Sequence, residues 1–317
     1  MGKSRTIDVH SHVLPSSYVD ALARAGVDPV EEDGFPSPSW NPEAHRTFVD
    51  EAGIDFSIVT ISSPHIHQGD DAAACAAARA INDETAAFCA ESPERFGFCA
   101  VLPTPCIDGS VEEARRALDQ LGALGVKLPS NSHGVYLGDA RFKPLYGFLE
   151  SRGCPAIIHP TSPQEVPEGA FTSGPKPLLE FIADTTRSAI DLIVSGVLLE
   201  YPRIRFVIPH CGSFLPLLAN RLEGISHVLA QEGKMSPVDV DESISHLYFD
   251  TAGSPLPAGL ETLMHITTPD KILFGSDYPY TPAGQIEAAA DELFESGIAK
   301  PMEERLRHGN AEELFGI

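Results

Sequence analysis

The sequence predicts a parallel (β/α)₈ barrel. Eight short apolar runs, rich in β-branched residues, recur along its 317 residues in the manner of buried parallel strands. They span residues 6–12, 55–62, 96–103, 125–129, 155–160, 204–212, 246–253 and 271–279. Amphipathic helical patterns separate these runs, most clearly at 72–92, 110–125 and 288–297. A chain of this length suits such a barrel, which needs about 250 residues plus insertions.

The alternative of an open, doubly wound sheet would need a phosphate-binding glycine loop after an early strand. Neither G-x-G-x-x-G nor G-x-x-x-x-G-K-[ST] occurs in the chain. We therefore expect a single barrel domain over residues 1–317. Two stretches rich in Pro, Gly and acidic residues, 25–45 and 161–177, follow strands one and five. These stretches are predicted to be inserted loops over the barrel mouth.

Composition narrows the possible partners. A formal net charge of −23 argues against binding to nucleic acid or to an anionic membrane surface. The sequence contains nothing like a run of 18 apolar residues, so no transmembrane helix is predicted.

Its six cysteines are irregularly spaced in apolar stretches, which predicts buried thiols of a cytoplasmic protein rather than disulfides. They are Cys75, Cys89, Cys99, Cys106, Cys154 and Cys211.

Histidine and aspartate residues stand at the ends of several predicted strands. His10 and His12 close strand one and, being two residues apart, point the same way. His159 closes strand five, His210 strand six and Asp277 strand eight. The carboxyl ends of barrel strands form the face that carries active sites. These five side chains are therefore predicted to converge on one site.

The types of these side chains predict a metal site. His10, His12, His159 and Asp277 would supply three nitrogens and one oxygen, which suits Zn²⁺ and also Mn²⁺ or Fe²⁺. His210 would then lie beside the ion, free to transfer protons near neutral pH. We expect one divalent ion per chain, Zn²⁺ with Mn²⁺ as the alternative, and no organic cofactor.

Four ordered motifs resemble the amidohydrolase superfamily: "DVHSH", "IIHP", "PHCGSFLPLLANR" and "FGSDYP". More narrowly they resemble its decarboxylase branch, which includes aminocarboxymuconate semialdehyde, γ-resorcylate and 6-methylsalicylate decarboxylases. The resemblance runs from residue 7 to the C-terminus. It implies metal ligation by His10, His12, His159 and Asp277, and catalytic roles for His210 and Asp277.

The resemblance also suggests residues that bind substrate. Arg221 stands eleven residues after His210, where the branch has an arginine that, in aminocarboxymuconate semialdehyde decarboxylase, reaches the partner subunit's substrate carboxylate. It therefore implies a homodimer, or a dimer of dimers, with Arg221 acting in trans; a helix-surface salt bridge is the alternative. The stretch "WNPEAHRTFVD" resembles one that supplies a further substrate arginine, but the matching position holds Thr47, with Arg46 beside it. This departure favours a monocarboxylate substrate.

Several other residues lie near the predicted site. His65 and His67 follow strand two and are interpreted as substrate-pocket lining or as part of a solvated loop. Lys127 ends strand four, where binuclear superfamily members carry a carboxylated lysine; we prefer a mononuclear site with Lys127 packing or pairing locally. Asp250, on strand seven, is expected to orient a neighbour by hydrogen bonding. Cys211 is interpreted as a small structural residue.

Taken together, the resemblance implies a metal-dependent, nonoxidative decarboxylase of a hydroxybenzoate-type acid such as 6-methylsalicylate. Such an enzyme releases carbon dioxide and a phenol, and its partner is a small aromatic carboxylate. The same ligands can also serve a hydrolase of a lactone or amide, which is the alternative. A serine hydrolase is disfavoured because no G-x-S-x-G motif occurs. A purely structural or binding protein is the third interpretation.

Overall fold

The centre of the molecule is an eight-stranded parallel sheet whose strands follow one another in chain order. A computed structural model describes residues 5–166 and 174–317. The strands are β1 (Ile7–His12), β2 (Phe56–Thr60), β3 (Phe96–Val101), β4 (Gly125–Pro129), β5 (Pro155–His159), β6 (Arg205–Ile208), β7 (Tyr248–Asp250) and β8 (Ile272–Leu273). One strand lies within each predicted run, so the predicted barrel strands are confirmed.

Backbone hydrogen bonds join the end of the sheet to its beginning. The segment after β8 is too irregular to extend the strand, yet it still pairs with β1. The N–H of Val9 donates to the carbonyl of Phe274 (2.9 Å), and the N–H of His12 donates to the carbonyl of Tyr278 (2.7 Å). This pairing brings the ends of strands one and eight together.

Helices connect the strands. They are α1 (Ser16–Ala25), α2 (Pro29–Asp33), α3 (Pro42–Glu51), α4 (Asp71–Ala90), α5 (Ile107–Gln120), α6 (Lys143–Arg152), α7 (Glu180–Val194), α8 (Val197–Glu200), α9 (Leu215–Gln231), α10 (Val240–Ser245), α11 (Ala258–Leu263), α12 (Ala283–Glu295) and α13 (Asn310–Phe315). The predicted helices at 72–92, 110–125 and 288–297 correspond to α4, α5 and α12. Within the two described ranges, no helix combines the length and the apolar character that crossing a membrane requires.

The apolar residues divide into an inner and an outer core because side chains alternate across each strand. The larger core lies between the sheet and the helices. The smaller one fills the lower barrel, where α13 contributes Leu314 and Phe315 beside Ile7, Val9 and other strand residues. Apolar packing thus occupies the lower barrel interior, and the carboxyl ends of the strands are left for polar groups.

The two stretches predicted as loops meet over the carboxyl end of the barrel. The first contains a short helix, α2, so its description as a loop was incomplete. The buried carboxylate of Asp33, at the end of α2, accepts a hydrogen bond from Ser162 in the second stretch (2.7 Å). Gly34 adopts φ +85°, and a Cβ there would lie 2.8 Å from Pro175. Residues 167–173 of the second stretch fall outside the described part of the chain.

Candidate metal centre

Four of the predicted side chains meet at the carboxyl ends of β1, β5 and the segment after β8. One ligand atom from each of His10, His12, His159 and Asp277 lies within 4.8 Å of the others. The two Nε2 atoms of His10 and His12 are 3.1 Å apart, and His12 Nε2 is 3.1 Å from Asp277 Oδ1. All three histidines are buried. The structure therefore brings the predicted ligand set together at one point.

Each of the three histidines uses its other ring nitrogen to contact a protein acceptor. These Nδ1 contacts are His10 to the Asp250 carboxylate (2.8 Å), His12 to the carbonyl of Thr60 (3.3 Å) and His159 to the carbonyl of Pro160 (2.9 Å). An imidazole that donates from Nδ1 keeps the lone pair on Nε2. The three Nε2 atoms therefore present lone pairs to a common point, as the ligands of a cation must.

The spacing and charge of the cluster fit a divalent cation. Tetrahedral ligands at about 2.1 Å from an ion lie about 3.4 Å from one another, close to the observed separations. Burial lowers the pKa of His12 to about 4, which keeps it neutral as metal binding requires. Burial also disfavours charge on His10, yet Asp250 and Asp277 raise its pKa to about 9. The carboxylates around His10 thus favour a positive charge at this position. A bound cation would supply that charge and leave His10 neutral, as a ligand must be.

His210 and Asp277 face each other beside this cluster. Nε2 of His210 lies 3.7 Å from Oδ2 of Asp277, the oxygen that does not contact His12. Burial would raise the pKa of Asp277, but its contacts with the imidazoles of His12 and His210 hold it well below its usual range. Both residues adopt positive φ, +57° for His210 and +61° for Asp277. Such strain in non-glycine residues is concentrated at functional sites.

A cavity of about 350 Å³ opens directly onto these groups. His159, His210 and Asp277 form its polar end. Its other walls are largely apolar and include Phe35, Pro177, Phe181, Ile182, Cys211, Ala252 and Tyr280. None of its described lining residues is a lysine or arginine. A mostly apolar ligand whose polar groups face His159, His210 and Asp277 suits this lining.

The predicted substrate residues His65 and His67 lie elsewhere. Both are buried, so a solvated loop is wrong. They line a second cavity of about 250 Å³ and are not among the described residues of the first. Nε2 of His65 donates to the carbonyl of Thr104 (2.8 Å), and Nε2 of His67 contacts Asp71 (2.7 Å). These contacts hold the two imidazoles against neighbouring segments, and neither belongs to the metal cluster.

The arginines also lie outside the described lining of the first cavity. Arg221 is exposed on α9. Arg46 forms an ion pair with Glu91 and lies over the ring of Phe88, 5.3 Å from its centroid. The neighbouring Thr47 is exposed. Within its own chain, the described cavity wall thus has no cationic side chain to bind a substrate carboxylate.

Sequence reasoning missed a hydrogen-bonded pair of half-buried Trp40 and buried His45 in the same "WNPEAH" motif. Nε1 of Trp40 donates to Nδ1 of His45 (2.9 Å), so Nε2 of His45 carries the proton and donates to Ser11 Oγ (3.1 Å). Ser11 lies between the two ligands of β1. The signal in the sequence that could have predicted this pair is the chain's one tryptophan, five residues before His45.

Lys127 and Asp250 take up local roles. Lys127 is completely buried, and its Nζ donates to the carbonyl of Ser62 (3.2 Å). Burial lowers the pKa of Lys127 to about 7. Asp250 contacts His10, as expected, and also accepts the N–H of His210 (3.0 Å).

The chain is similar in sequence to a known protein family and to several characterised decarboxylases. The Amidohydrolase family model matches residues 7–317. A 6-methylsalicylic acid decarboxylase of Penicillium expansum is 32% identical over 313 residues, which are 98% of this chain and 95% of the relative. A second, from Aspergillus aculeatus, is 32% identical over 304 residues, 93% of this chain and 90% of the relative.

Solved structures give the same fold. An amidohydrolase II structure is 35% identical and covers 98% of this chain and 100% of its own, with a TM-score of 0.92. A 5-carboxyvanillate decarboxylase of Novosphingobium aromaticivorans, solved with manganese and 4-hydroxy-3-methoxy-5-nitrobenzoic acid, has a TM-score of 0.89. It is 21% identical and covers 99% of this chain and 96% of its own. The predicted resemblance to the decarboxylase branch is confirmed by relatives of all three kinds. The chain belongs to the amidohydrolase family.

Proposed function

We propose that this protein is a metal-dependent, nonoxidative decarboxylase of a hydroxybenzoate-type acid such as 6-methylsalicylate. One observation carries the proposal: a largely apolar cavity with room for a substituted benzoate opens onto the His/Asp cluster. The described walls of the cavity contain no lysine or arginine. Within this chain, the substrate carboxylate would therefore be bound at the His/Asp cluster. The 6-methylsalicylic acid decarboxylases that match over nearly the whole chain support the choice of substrate class.

The cluster would hold one divalent ion per chain through His10, His12, His159 and Asp277. We propose Zn²⁺, because three imidazole nitrogens and one carboxylate oxygen suit it, with Mn²⁺ as the alternative. Such an ion would supply Lewis-acid chemistry at the oxygens of the substrate. No organic cofactor is required, since the reaction exchanges only a carboxylate for a proton.

His210 and Asp277 would supply that proton. Loss of carbon dioxide requires the ring carbon that bears the carboxylate to gain a proton before the carbon–carbon bond breaks. Asp277 and His210 both line the cavity, with Oδ2 of Asp277 3.7 Å from Nε2 of His210, so each is a candidate to carry the proton to a ring bound there. After the transfer the bonding electrons return to the ring, and carbon dioxide and the phenol leave.

Turnover of defined acids tests this function. The metal-loaded protein should convert 6-methylsalicylate to m-cresol and carbon dioxide in the absence of oxygen. 2-Methylbenzoate, which lacks the hydroxyl group, is the matched control and should not react. Hydrolysis of lactones or amides with no turnover of any hydroxybenzoate would overturn the proposal in favour of the alternative.

We further propose a homodimer, or a dimer of dimers, in which Arg221 completes the neighbouring site. Arg221 shares the exposed face of α9 with the apolar side chains Leu217, Ile225 and Val228. A second copy would cover this apolar face and bring its arginine toward a substrate carboxylate. Mixing Arg221→Ala with His210→Asn chains should restore part of the activity. No recovery despite proven subunit exchange would exclude action in trans.

A further inference from the structure

Two cysteines form a close pair outside the metal centre. Sγ of Cys75 and Sγ of Cys106 lie 3.8 Å apart, although the residues are 31 positions apart in sequence. Both are partly exposed, whereas Cys89, Cys99, Cys154 and Cys211 are buried. The expectation that all six thiols are buried was therefore wrong for this pair, because the start of α4 and the start of α5 meet at the surface.

The backbone leaves room for both sulfur atoms. A Cβ at Gly109, in the first turn of α5, would lie 2.4 Å from Sγ of Cys75 and 3.1 Å from Sγ of Cys106. A larger residue at this position would therefore push at least the sulfur of Cys75 aside. A disulfide has an S–S bond of about 2.05 Å, so the two sulfur atoms must approach each other by about 1.8 Å to form it.

We propose that Cys75 and Cys106 form a reversible disulfide when the protein meets a hydroperoxide such as hydrogen peroxide. The peroxide oxidises one thiolate to a sulfenic acid and is reduced to water. The second thiol then attacks that sulfur, the S–S bond forms and a second water leaves. A dithiol reductant returns both thiols. Two thiols and one peroxide thus give one disulfide and two waters.

The disulfide would join two connections on the face that carries the metal cluster. Cys75 follows Asp71, the contact of His67, by about one helical turn. Cys106 follows Thr104, whose carbonyl accepts from His65, by two residues. Oxidation would therefore tie together the two segments that hold His65 and His67 in the wall of the second cavity. Burial and the hydrogen bond to Cys106 raise the pKa of Cys75 to about 11, so the reaction should accelerate with rising pH.

Peptide mapping tests the proposal on the full, folded chain. After peroxide treatment, the thiols that can be titrated in denaturant should fall from six to four. One cross-linked peptide should join Cys75 to Cys106, and dithiothreitol should release it. Cys75→Ser should abolish this cross-link, whereas Cys89→Ser, a buried position on the same helix, should keep it. A folded protein in which Cys75 and Cys106 stay reduced, over-oxidise separately or pair with other cysteines would overturn the proposal.

Discussion

The Asp250 carboxylate contacts Nδ1 of His10 through one oxygen (2.8 Å) and accepts the N–H of His210 through the other (3.0 Å). A single buried side chain thus orients one predicted metal ligand and the turn that carries the predicted proton donor. Because the lone pair of His10 Nε2 depends on this contact, Asp250 connects metal binding to the position of His210.

Replacing Asp250 by asparagine should therefore weaken metal binding. The amide is a poorer acceptor for Nδ1 of His10, and we expect metal affinity to fall roughly 10- to 100-fold. Competition with a chelator measures it. Asp184→Asn is the matched control, because Asp184 is equally buried but bonds Ser130, Asn131 and Tyr136. Equal metal affinity in the two variants would contradict an orienting role for Asp250.

Variants of His12 and His210 should differ in which property they lose, the bound metal or the catalytic turnover. His12→Ala removes a ligand nitrogen, so elemental analysis should show loss of most of the bound ion. His210→Asn leaves all four ligand atoms in place and should retain the ion, while kcat falls roughly 100-fold or more. Full metal occupancy in His12→Ala would refute the ligand assignment, and unchanged kcat in His210→Asn would refute its catalytic role.

Cavity shape should set which ring substituents are accepted. Phe181 forms part of the apolar wall, and Phe181→Ala would enlarge the cavity there. We expect kcat/KM for 6-propylsalicylate relative to 6-methylsalicylate to rise roughly 10-fold. Phe294→Ala is the control, since Phe294 is similarly buried but lies on α12, outside the described lining. The same ratio in both variants would show that Phe181 does not limit substrate size.

The metal cluster could be predicted because barrel geometry makes a few positions unambiguous. His10 and His12 are two residues apart on a strand, so their side chains must share a side. His159 and Asp277 follow other strands at the same carboxyl end, and in a closed parallel barrel these ends meet. The three histidines thus need only strand geometry, whereas Asp277 lies in the irregular segment after β8, where its N–H donates to the carbonyl of His10 (2.7 Å).

Loop residues could not be placed in the same way. His65 and His67 follow β2 by only a few residues, yet their direction depends on Thr104 and Asp71, which belong to other segments. The pairing of Cys75 with Cys106 likewise depends on the space left at Gly109. Such contacts arise from how connections pack against one another, and the spacing of residues within one run carries no information about them.

Buried His45 should make the protein sensitive to acid. Burial lowers the pKa of His45 from 6.5 to about 3, so the unfolded chain binds a proton in this pH range that the folded chain does not. The contribution of His45 to stability is thus present above pH 6.5 and is lost as pH falls. His45→Gln should reduce the acid slope of the unfolding free energy by at most about 1.4 kcal/mol per pH unit. Exposed His227→Gln is the control, and equal slopes would contradict this prediction.

Buried Lys127 should make the unfolding free energy depend on pH in the neutral to alkaline range. Burial lowers the pKa of Lys127 from 10.5 to about 7, so between these values the unfolded chain binds more protons and stability rises with pH. Lys127→Met should remove this part of the rise, measured as the difference in unfolding free energy between variant and parent from pH 7 to 10. Surface Lys234→Met should leave the rise unchanged.

Elemental analysis should find the same metal content in Lys127→Met as in the parent, because Lys127 bonds Ser62 and lies outside the ligand cluster. Loss of a second ion from the variant would instead identify Lys127 as a bridging ligand.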